Sequence, residues 1–514
     1  MNIIYFLDDW SGFGGAANNL LHQAYAMQWE GNRVKVVLPE NEEGEYSKEA
    51  AKRCGRYGLG FVRLRFFTAT SIREINIYEA IRDSIAVENF LLTQGADLVH
   101  SIQLNIAVEL ACRGLGIGHV MSIYSIYAGE FRIPYVDIFP KYLICDSEFY
   151  SRLWEMGLKV KTRCIRNCMD RKEKGYGAPW HKKRNEVLEV LTLGHIYKAK
   201  NQLEIIKFVD KCISGGILIR LTLCGDDVGA YADVCRTYVE ENGLDRYVLF
   251  KGFVSDITGY LKNADLLLCG STRESFPFSI TESMMFGVPV LTTCAGGIPE
   301  LIKDGWNGYL AEGYDAKSIY VKFKEFLADR ETGRIESVIA NSYETYLKNN
   351  TPEVVAARIR NFYEVVISRK ERHSALICRS GLESGLQNIK SMFEGNKSFF
   401  NDEKYVYSRL WYIYSLQNSP LGKRRLEVYI WGAGKLGREA GNIVKVFFKE
   451  WVIKGYMDAF KTGSLDGYCI HAPDEVVASW TGLIIVANYA ASDEIILSLE
   501  SRGKQCGSDF ILMI

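Results

Sequence analysis

This sequence has little proline, no excess of charge of either sign and no Cys-x-x-Cys motif. Each of these features excludes a class of protein. Only 10 of the 514 residues are proline, which excludes proline-rich linkers and collagen-like structure. Lys and Arg together number 62, as do Asp and Glu, so the formal net charge is zero. A nucleic-acid-binding protein that relies on a broad basic field would carry an excess of positive charge.

The 13 cysteines show neither metal-site nor disulfide spacing. No Cys-x-x-Cys occurs, and most cysteines lie in apolar segments such as LTLCGD and LLLCGS. Buried free thiols of this kind are typical of a reducing compartment. The sequence starts on the apolar stretch NIIYFLD without a basic segment before it, and no apolar run approaches the roughly 18 residues of a membrane helix. We therefore expect a soluble cytoplasmic protein, with attachment to the inner face of the cell membrane left open.

Short apolar runs alternate with helix-length segments, a pattern typical of parallel α/β sheets. A first series of strands is predicted at residues 2–8, 33–38, 61–67, 98–102, 119–125 and 141–147. A second series is predicted at residues 188–194, 217–226, 247–252, 266–271 and 289–294. The alternation therefore predicts two Rossmann-like α/β domains in the first three quarters of the chain.

Changes in composition predict where these domains end. Residues 159–184 carry ten Lys and Arg against two acids, which indicates an interdomain connection. The strand–helix pattern breaks at 373–425, a segment rich in Ser, Asn and Gly around an aromatic stretch, and restarts after it. We expect a first domain at 1–175, a second at 176–372, a partly helical spacer at 373–425 and a third small Rossmann-like domain at 426–514.

The segment 266–310 is predicted to carry the chemistry. Glu274 follows a buried strand, Pro277 stands where a helix could begin, and Glu282 falls in the first turns of that helix. In an open α/β sheet, ligands bind in the crevice at the carboxyl ends of the strands. Helix N-termini there favour an anion such as a diphosphate, whereas carboxylates accept hydrogen bonds from sugar hydroxyls.

Glu274 and Glu282 also form a Glu-x7-Glu motif that resembles the one in retaining glycosyltransferases of family 4. Other segments resemble that family in matching order over about residues 1–372: GFGGAANNL, IRNCMD, GHIYKAKNQ, LCGDD, VLFKGFVSD and AGGIPELIKDGWNGYL. The resemblance implies the GT-B arrangement of two Rossmann-like domains. It also implies a retaining, metal-independent reaction that needs no cofactor and no protein nucleophile.

The resemblance implies roles for individual residues. Lys200 matches the lysine that binds the donor diphosphate, Glu274 the glutamate that faces the donor sugar, and Glu282 the glutamate on the nucleotide ribose. Gly14 and Gly15 match the loop that brings backbone close to the diphosphate. Further donor-binding residues are expected beside Glu274, at Phe276, Phe278 and Ser279.

Two positions depart from the family pattern. His195 stands where the family usually has an arginine, and we assign it to the catalytic set because a nearby diphosphate would favour its charged form. Tyr124 stands, by register, where many relatives have a histidine; it is predicted to contact the donor and is a poor proton shuttle. These departures motivate a second interpretation, a non-catalytic partner subunit with a glycosyltransferase fold.

The last domain carries a separate motif, WGAGKLGREAG, directly after the apolar run LEVYIW. Gly432, Gly434 and Gly437 fit Gly-x-Gly-x-x-Gly, and Asp458 ends the next predicted strand, as in a dinucleotide-binding fingerprint. NAD(P) or another nucleotide is therefore a candidate ligand of this domain. An assembly module remains an alternative, as does a bifunctional chain with an NAD-dependent activity.

The expected function is transfer of a hexose from a nucleotide-diphosphate sugar to a glycan, lipid or protein acceptor. The resemblance points to cell-surface polysaccharide or glycoconjugate biosynthesis. A second copy of the chain or a partner transferase is a candidate binding partner, and nucleic acid is not expected.

Overall fold

The computed structural model describes most of the chain in three α/β units. The described residues are 1–8, 14–40, 45–69, 76–124, 141–158, 161–169, 187–368, 387–388, 391, 413, 416–417, 419–488, 492–506 and 508–513. The boundary predicted between 175 and 176, and most of the spacer predicted at 373–425, lie outside these residues.

The first sheet has seven parallel strands in the order β3-β2-β1-β4-β5-β6-β7. Its strands are β1 (Asn2–Phe6), β2 (Arg33–Pro39), β3 (Gly60–Leu64), β4 (Leu98–Ile102), β5 (Gly118–Ser122), β6 (Tyr142–Cys145) and β7 (Lys161–Cys164). Its helices are α1 (Gly15–Trp29), α2 (Glu45–Tyr57), α3 (Ile77–Gln94), α4 (Ile106–Leu115) and α5 (Glu148–Leu158). The central strands β1, β4 and β6 are almost wholly buried, as expected when helices cover both faces of a parallel sheet.

The second sheet has six parallel strands in the order β10-β9-β8-β11-β12-β13. Its strands are β8 (Leu188–Leu193), β9 (Ile219–Cys224), β10 (Val248–Phe250), β11 (Leu266–Cys269), β12 (Val290–Thr293) and β13 (Tyr309–Ala311). The helices that follow are α6 (Gln202–Ser214), α7 (Ala230–Glu241), α8 (Thr258–Asn263), α9 (Phe278–Phe286), α10 (Ile298–Leu301), α11 (Ala316–Thr332), α12 (Ile335–Asn349) and α13 (Pro352–Ser368). The order in which strands are added changes side between β8 and β11, because β9 and β10 lie on one side of β8 and β11 to β13 lie on the other. This makes the carboxyl ends of β8 and β11 the expected ligand crevice.

Helix α13 follows the second sheet in sequence but packs on the first domain. Its buried residues Val355 and Ile359 belong to the same apolar core as Leu20 of α1. The Tyr363 hydroxyl lies 2.5 Å from Nδ1 of His100 on β4. Burial lowers the pKa of His100 to about 3, so this imidazole is neutral and structural. The chain thus crosses between the first two domains a second time.

The third sheet has six strands in the order β16-β17-β15-β14-β18-β19, with β16 antiparallel to β17 and the other pairs parallel. Its strands are β14 (Leu426–Trp431), β15 (Trp451–Met457), β16 (Gly463–Leu465), β17 (Tyr468–His471), β18 (Leu483–Val486) and β19 (Phe510–Leu512). Its helices are α14 (Lys435–Phe447), α15 (Pro473–Val477) and α16 (Ser492–Ser501). The sheet has its own core around Val428 and Tyr456, so a third α/β unit is present where the sequence predicts a small Rossmann-like domain.

Every strand predicted for the first two domains is present at its place in the chain, with ends that differ by a few residues. The prediction missed β7 and β13. The sequence of β7, KTRC, is largely polar because it is an edge strand, and β13 has only three residues. Within the described residues, no helix combines the length and the apolar character needed to cross a membrane.

Candidate donor-binding site

Lys200 and Glu274 are brought together at the carboxyl ends of β8 and β11, where the strand order of the second sheet changes side. Lys200 ends a short 3-10 helix, Lys198–Lys200, in the loop after β8. Glu274 lies in the loop after β11, the neighbouring strand. The two segments are 74 residues apart in sequence, and only the parallel pairing of β8 with β11 places them at one edge.

The ammonium of Lys200 donates directly to Oε1 of Glu274, and the Ser271 hydroxyl donates to the same oxygen at 2.8 Å. Both partners are largely withdrawn from water, with side chains 23% and 11% exposed. Burial by itself would lower the pKa of Lys200, but the adjacent carboxylate outweighs it and raises that pKa above its usual value. The crevice therefore holds a permanent cation beside a carboxylate that accepts hydrogen bonds.

The turn at Gly296 supports the backbone of Glu274. Gly296 has φ +51°, and a Cβ there would lie 1.8 Å from the carbonyl oxygen of Glu274. Gly297 donates its N–H to that same oxygen at 3.3 Å. Only glycine fits at 296, because a side chain would collide with the loop that carries Glu274. The tight turn is thus formed at Gly296, whereas Gly297 has an ordinary φ of −82°.

The N-termini of α1 and α9 meet across the two domains. Pro277 precedes the first residue of α9, Phe278, and Gly14 precedes the first residue of α1, Gly15. A Cβ on Gly15 would lie 3.1 Å from the ring of Phe278. Free N–H groups at these two helix starts favour an anion between the domains. Ser279 and Glu282 are the second and fifth residues of α9, and both side chains are partly exposed.

Phe276 is 3% exposed and belongs to the interface between the domains. Its carbonyl accepts from the Asn167 amide at 2.7 Å, and the Arg166 guanidinium lies 5.0 Å from the centre of its ring. The Asn167 amide oxygen in turn accepts from Asn19 of α1 at 3.1 Å. The structure thus gives Phe276 a packing role, and its predicted contact with the donor stays a prediction.

His195 and Tyr124 lie in loops near the crevice. The His195 side chain is 58% exposed, with Nδ1 3.9 Å from a carboxylate oxygen of Asp226. Tyr124, two residues after β5, accepts from the Gln23 amide at 3.4 Å. Burial raises the pKa of the Tyr124 phenol above its usual value, so the hydroxyl stays neutral. Among the described residues, no three His, Cys, Asp or Glu side chains cluster as a metal site.

Sequence reasoning missed two acidic residues that join the domains. Asp146, at the carboxyl end of β6, accepts a hydrogen bond from the Ser275 hydroxyl, next to Glu274. Glu300 of α10 accepts the backbone N–H groups of Glu148 and Phe149, at the start of α5, at 2.9 and 2.7 Å. The signal that identified Glu274, an acid directly after a buried strand, would also have identified Asp146.

In the third domain, the glycines of the predicted fingerprint have different surroundings. A Cβ on Gly437 would lie 1.7 Å from the carbonyl oxygen of Gly432, so helix α14 contacts the end of β14 directly. A Cβ on Gly434 would meet only the Lys461 ammonium, at 3.6 Å. Gly437 is therefore required for packing, while the space beside Gly434, at the N-terminus of α14, is open to a ligand.

Asp458 ties this glycine-rich turn to the end of β15. One carboxylate oxygen accepts the N–H of Ala433 at 2.9 Å, and the other accepts those of Phe460 and Lys461 at 3.0 and 3.1 Å. Burial would raise the pKa of Asp458, but these N–H groups outweigh it and lower the pKa. Its predicted part in a dinucleotide-binding fingerprint is not tested by this geometry.

Known proteins resemble part of the chain. Residues 179–345 match the family model described as glycosyl transferases group 1. The N-acetyl-alpha-D-glucosaminyl L-malate synthase of Bacillus anthracis is 30% identical over 145 residues, which cover 28% of this chain and 37% of that protein. The chain spans less than half the length of the first curated relatives it matches, 45% and 37%.

Solved structures resemble a larger part of the chain. A glycosyltransferase from Rickettsia africae has a TM-score of 0.60 at 14% identity, covering 72% of this chain and 99% of its own. HepE of Anabaena, solved in complex with UDP-glucose, has a TM-score of 0.56 at 18% identity and covers 71% of this chain and 100% of its own. At such identities the likeness establishes the fold. The first two domains therefore have the GT-B fold, and the second contains the segment that matches the glycosyl transferases group 1 family.

Proposed function

We propose that this chain is a glycosyltransferase that moves a hexose from a nucleotide-diphosphate sugar to an acceptor with retention of anomeric configuration and without a metal ion. The observation that carries the proposal is the Lys200–Glu274 pair at the carboxyl ends of β8 and β11, beside the N-termini of α1 and α9. A cation and free N–H groups suit a diphosphate, and an adjacent carboxylate suits the hydroxyls of a sugar.

The residues of the crevice would act on charge that develops during the reaction. Breaking the bond between sugar and phosphate leaves negative charge on the diphosphate. Lys200, kept protonated by Glu274, and the N–H groups of α9 would stabilise that charge. Glu274, held by Ser271, would hydrogen-bond the sugar and orient it toward the acceptor.

The relatives support the class of donor and the biological setting. HepE is solved with UDP-glucose, which supports a nucleotide sugar as donor. The Salmonella typhimurium relative named lipopolysaccharide 1,6-galactosyltransferase, 32% identical over 96 residues, supports a cell-surface glycan as acceptor. As part of the same proposal, the protein works in the cytoplasm, at the inner face of the membrane when its acceptor is a lipid.

The proposal is tested by release of nucleoside diphosphate from a panel of donors, with cell-surface glycans and lipid-linked sugars as acceptors. The wild-type chain should turn over at least one donor, in the presence of EDTA, and yield a product with the anomeric configuration of the donor. Lys200→Met and Glu274→Gln should each lower kcat about 100- to 1,000-fold, because each removes a group that acts in the transition state.

Lys207→Met is a matched control, since Lys207 also pairs with a glutamate but lies on α6, 38% exposed. It should retain wild-type turnover. Near-normal turnover in both crevice variants would contradict the assignment of the site. Binding of a donor without turnover in any combination would favour the alternative of a non-catalytic partner subunit.

A further inference from the structure

The turn between β6 and α5 of the first domain contacts Ser275, the residue that follows Glu274. Asp146 and Ser147 of this turn contact Ser275 of the second domain, with Ser147 Oγ 3.4 Å from Ser275 Oγ. The same turn packs against Gly297, where a Cβ would lie 2.5 Å from that of Ser147. The turn is therefore wedged between the two loops that shape the crevice, the one that carries Glu274 and the one at Gly296.

The Asp146 carboxyl is buried, 4% exposed, and its surroundings are unfavourable for a negative charge. From the second domain, the carboxylates of Glu274 and Glu300 face it. From the first domain, the Tyr124 phenol and the Cys164 thiol lie near it. Among the described residues, no Lys, Arg or His pairs with it. A buried carboxyl with like charges nearby and no cation is stable as the neutral acid.

We infer that Asp146 is a positioning residue for the proposed sugar transfer: its protonated carboxyl holds Ser275 and, through Ser275, the loop that carries Glu274. The role rests on the proposed function, since it concerns the residue assigned to the donor sugar. Asp146 touches neither Lys200 nor Glu274 through a hydrogen bond of its own, so it acts through Ser275.

The inference predicts a specific dependence on pH. Burial has the largest effect on the pKa of Asp146 and raises it. The hydrogen bond from Ser275 and a backbone hydrogen bond lower this pKa, the charges of Glu274 and Glu300 raise it further, and the resulting pKa is about 8. A raised carboxyl pKa means that the folded arrangement is favoured most below the ordinary pKa and loses that advantage as pH rises through about 8. Above it, a carboxylate would lie beside Glu274, and repulsion would displace the loop.

The test compares kcat at pH 7 and pH 9 in the wild-type chain, Asp146→Asn and Asp146→Ala. Asparagine keeps an oxygen that accepts from Ser275 and cannot ionise, so it imitates the neutral acid. The ratio of kcat at pH 9 to kcat at pH 7 should be about tenfold lower in the wild type than in Asp146→Asn. Asp146→Ala, which removes the acceptor, should lower kcat at both pH values.

A control separates this effect from general changes on the same helix. Glu155 of α5 accepts the N–H of Thr162 at 3.2 Å and lies on the exposed side, so Glu155→Gln should show the wild-type ratio. If kcat fell between pH 7 and pH 9 as much in Asp146→Asn as in the wild type, the inference would be overturned, because the ionisation of another group would then cause the fall. Unchanged kcat in Asp146→Ala would also overturn it.

A second measurement does not require a substrate. The difference in Tm between the wild type and Asp146→Asn should shift against the wild type as pH rises from 5 to 9, since only the wild type must ionise a buried acid. A difference that is constant with pH would contradict a neutral Asp146. If the wild type turns over no donor, the proposed function is wrong and the role in transfer falls with it. The Tm comparison still decides the protonation state.

Discussion

Lys200 and Glu274 show how neighbouring groups change the properties of two ordinary residue types. On an ordinary helix or loop surface, each of these side chains would be a charge surrounded by water. In the crevice they are partly buried, and the Glu274 carboxylate raises the pKa of Lys200 above its usual value, so the ammonium stays charged. A diphosphate that binds there therefore meets a cation that needs no proton uptake.

Glu282 permits a prediction about binding rather than rate. It lies one turn into α9, and a contact with the donor ribose would be equally strong in the ground state and in the transition state. Glu282→Ala should therefore raise the KM for the donor about tenfold with little change in kcat. Steady-state kinetics with varied donor concentration measure KM and kcat. Glu282→Gln, which keeps an acceptor oxygen, should have a KM between those of the wild type and Glu282→Ala. A collapsed kcat at unchanged KM would contradict the ribose role.

At the scale of secondary-structure elements, α5 of the first domain is capped by a residue of the second. The first N–H groups of a helix have no partner within the helix, and here two of them donate to the Glu300 carboxylate. Arg166 holds Glu300 from the side, with Nη2 3.7 Å from its Oε2. A helix terminus that would otherwise bind water thus serves to join the two domains.

Glu300→Ala should lower the free energy of unfolding by about 1 kcal/mol, the usual effect of losing a helix cap. Glu300→Gln, which keeps one acceptor oxygen, should cost less. Denaturant unfolding checks both values. As a control, Glu344→Ala removes a carboxylate that forms an exposed ion pair with Lys348, and it should change stability by less than about 0.5 kcal/mol. An equal effect of Glu300→Ala and Glu344→Ala would argue against capping across the domains.

At the scale of the whole molecule, the third domain has its own sheet, core and glycine-rich turn, separate from the crevice of the first two. Two glycines of that turn distinguish packing from binding. The space beside Gly434 is open except for Lys461, whereas Gly437 is in contact with the backbone of Gly432, directly after β14. Changes at these positions should therefore have different consequences in the full chain.

Gly434→Val should leave the unfolding of the third domain unchanged and remove nucleotide binding, because the side chain would fill the space at the start of α14. Gly437→Ala should destabilise that domain by about 2 kcal/mol or more, because its Cβ has no room. Calorimetry of the full chain with NAD, NADP and nucleotide sugars, together with thermal unfolding, checks both. No binding by the wild-type third domain would favour an assembly module. Sugar transfer should be unaffected by Gly434→Val.

Much of the fold follows from local sequence. Buried parallel strands require continuous apolar runs, so β1, β8, β11 and β14 were visible as such, and the turns after them carry the glycines and acids of the motifs. Polar or very short edge strands, such as β7 and β13, carry no such signal. Glu274 could be identified because its place directly after a buried strand and its membership of the Glu-x7-Glu motif are both visible in the sequence.

Only the tertiary structure decided the contacts between residues that are far apart in the chain. No local pattern reveals that Asp146 reaches Ser275, that Glu300 caps α5, or that α13 returns to the first domain. These contacts depend on how two separately folded sheets dock, and the burial that raises the pKa of Asp146 exists only once they have done so. The sequence by itself thus determined the sheets and the charged groups at their edges, while docking decided which of those groups lose water and act together.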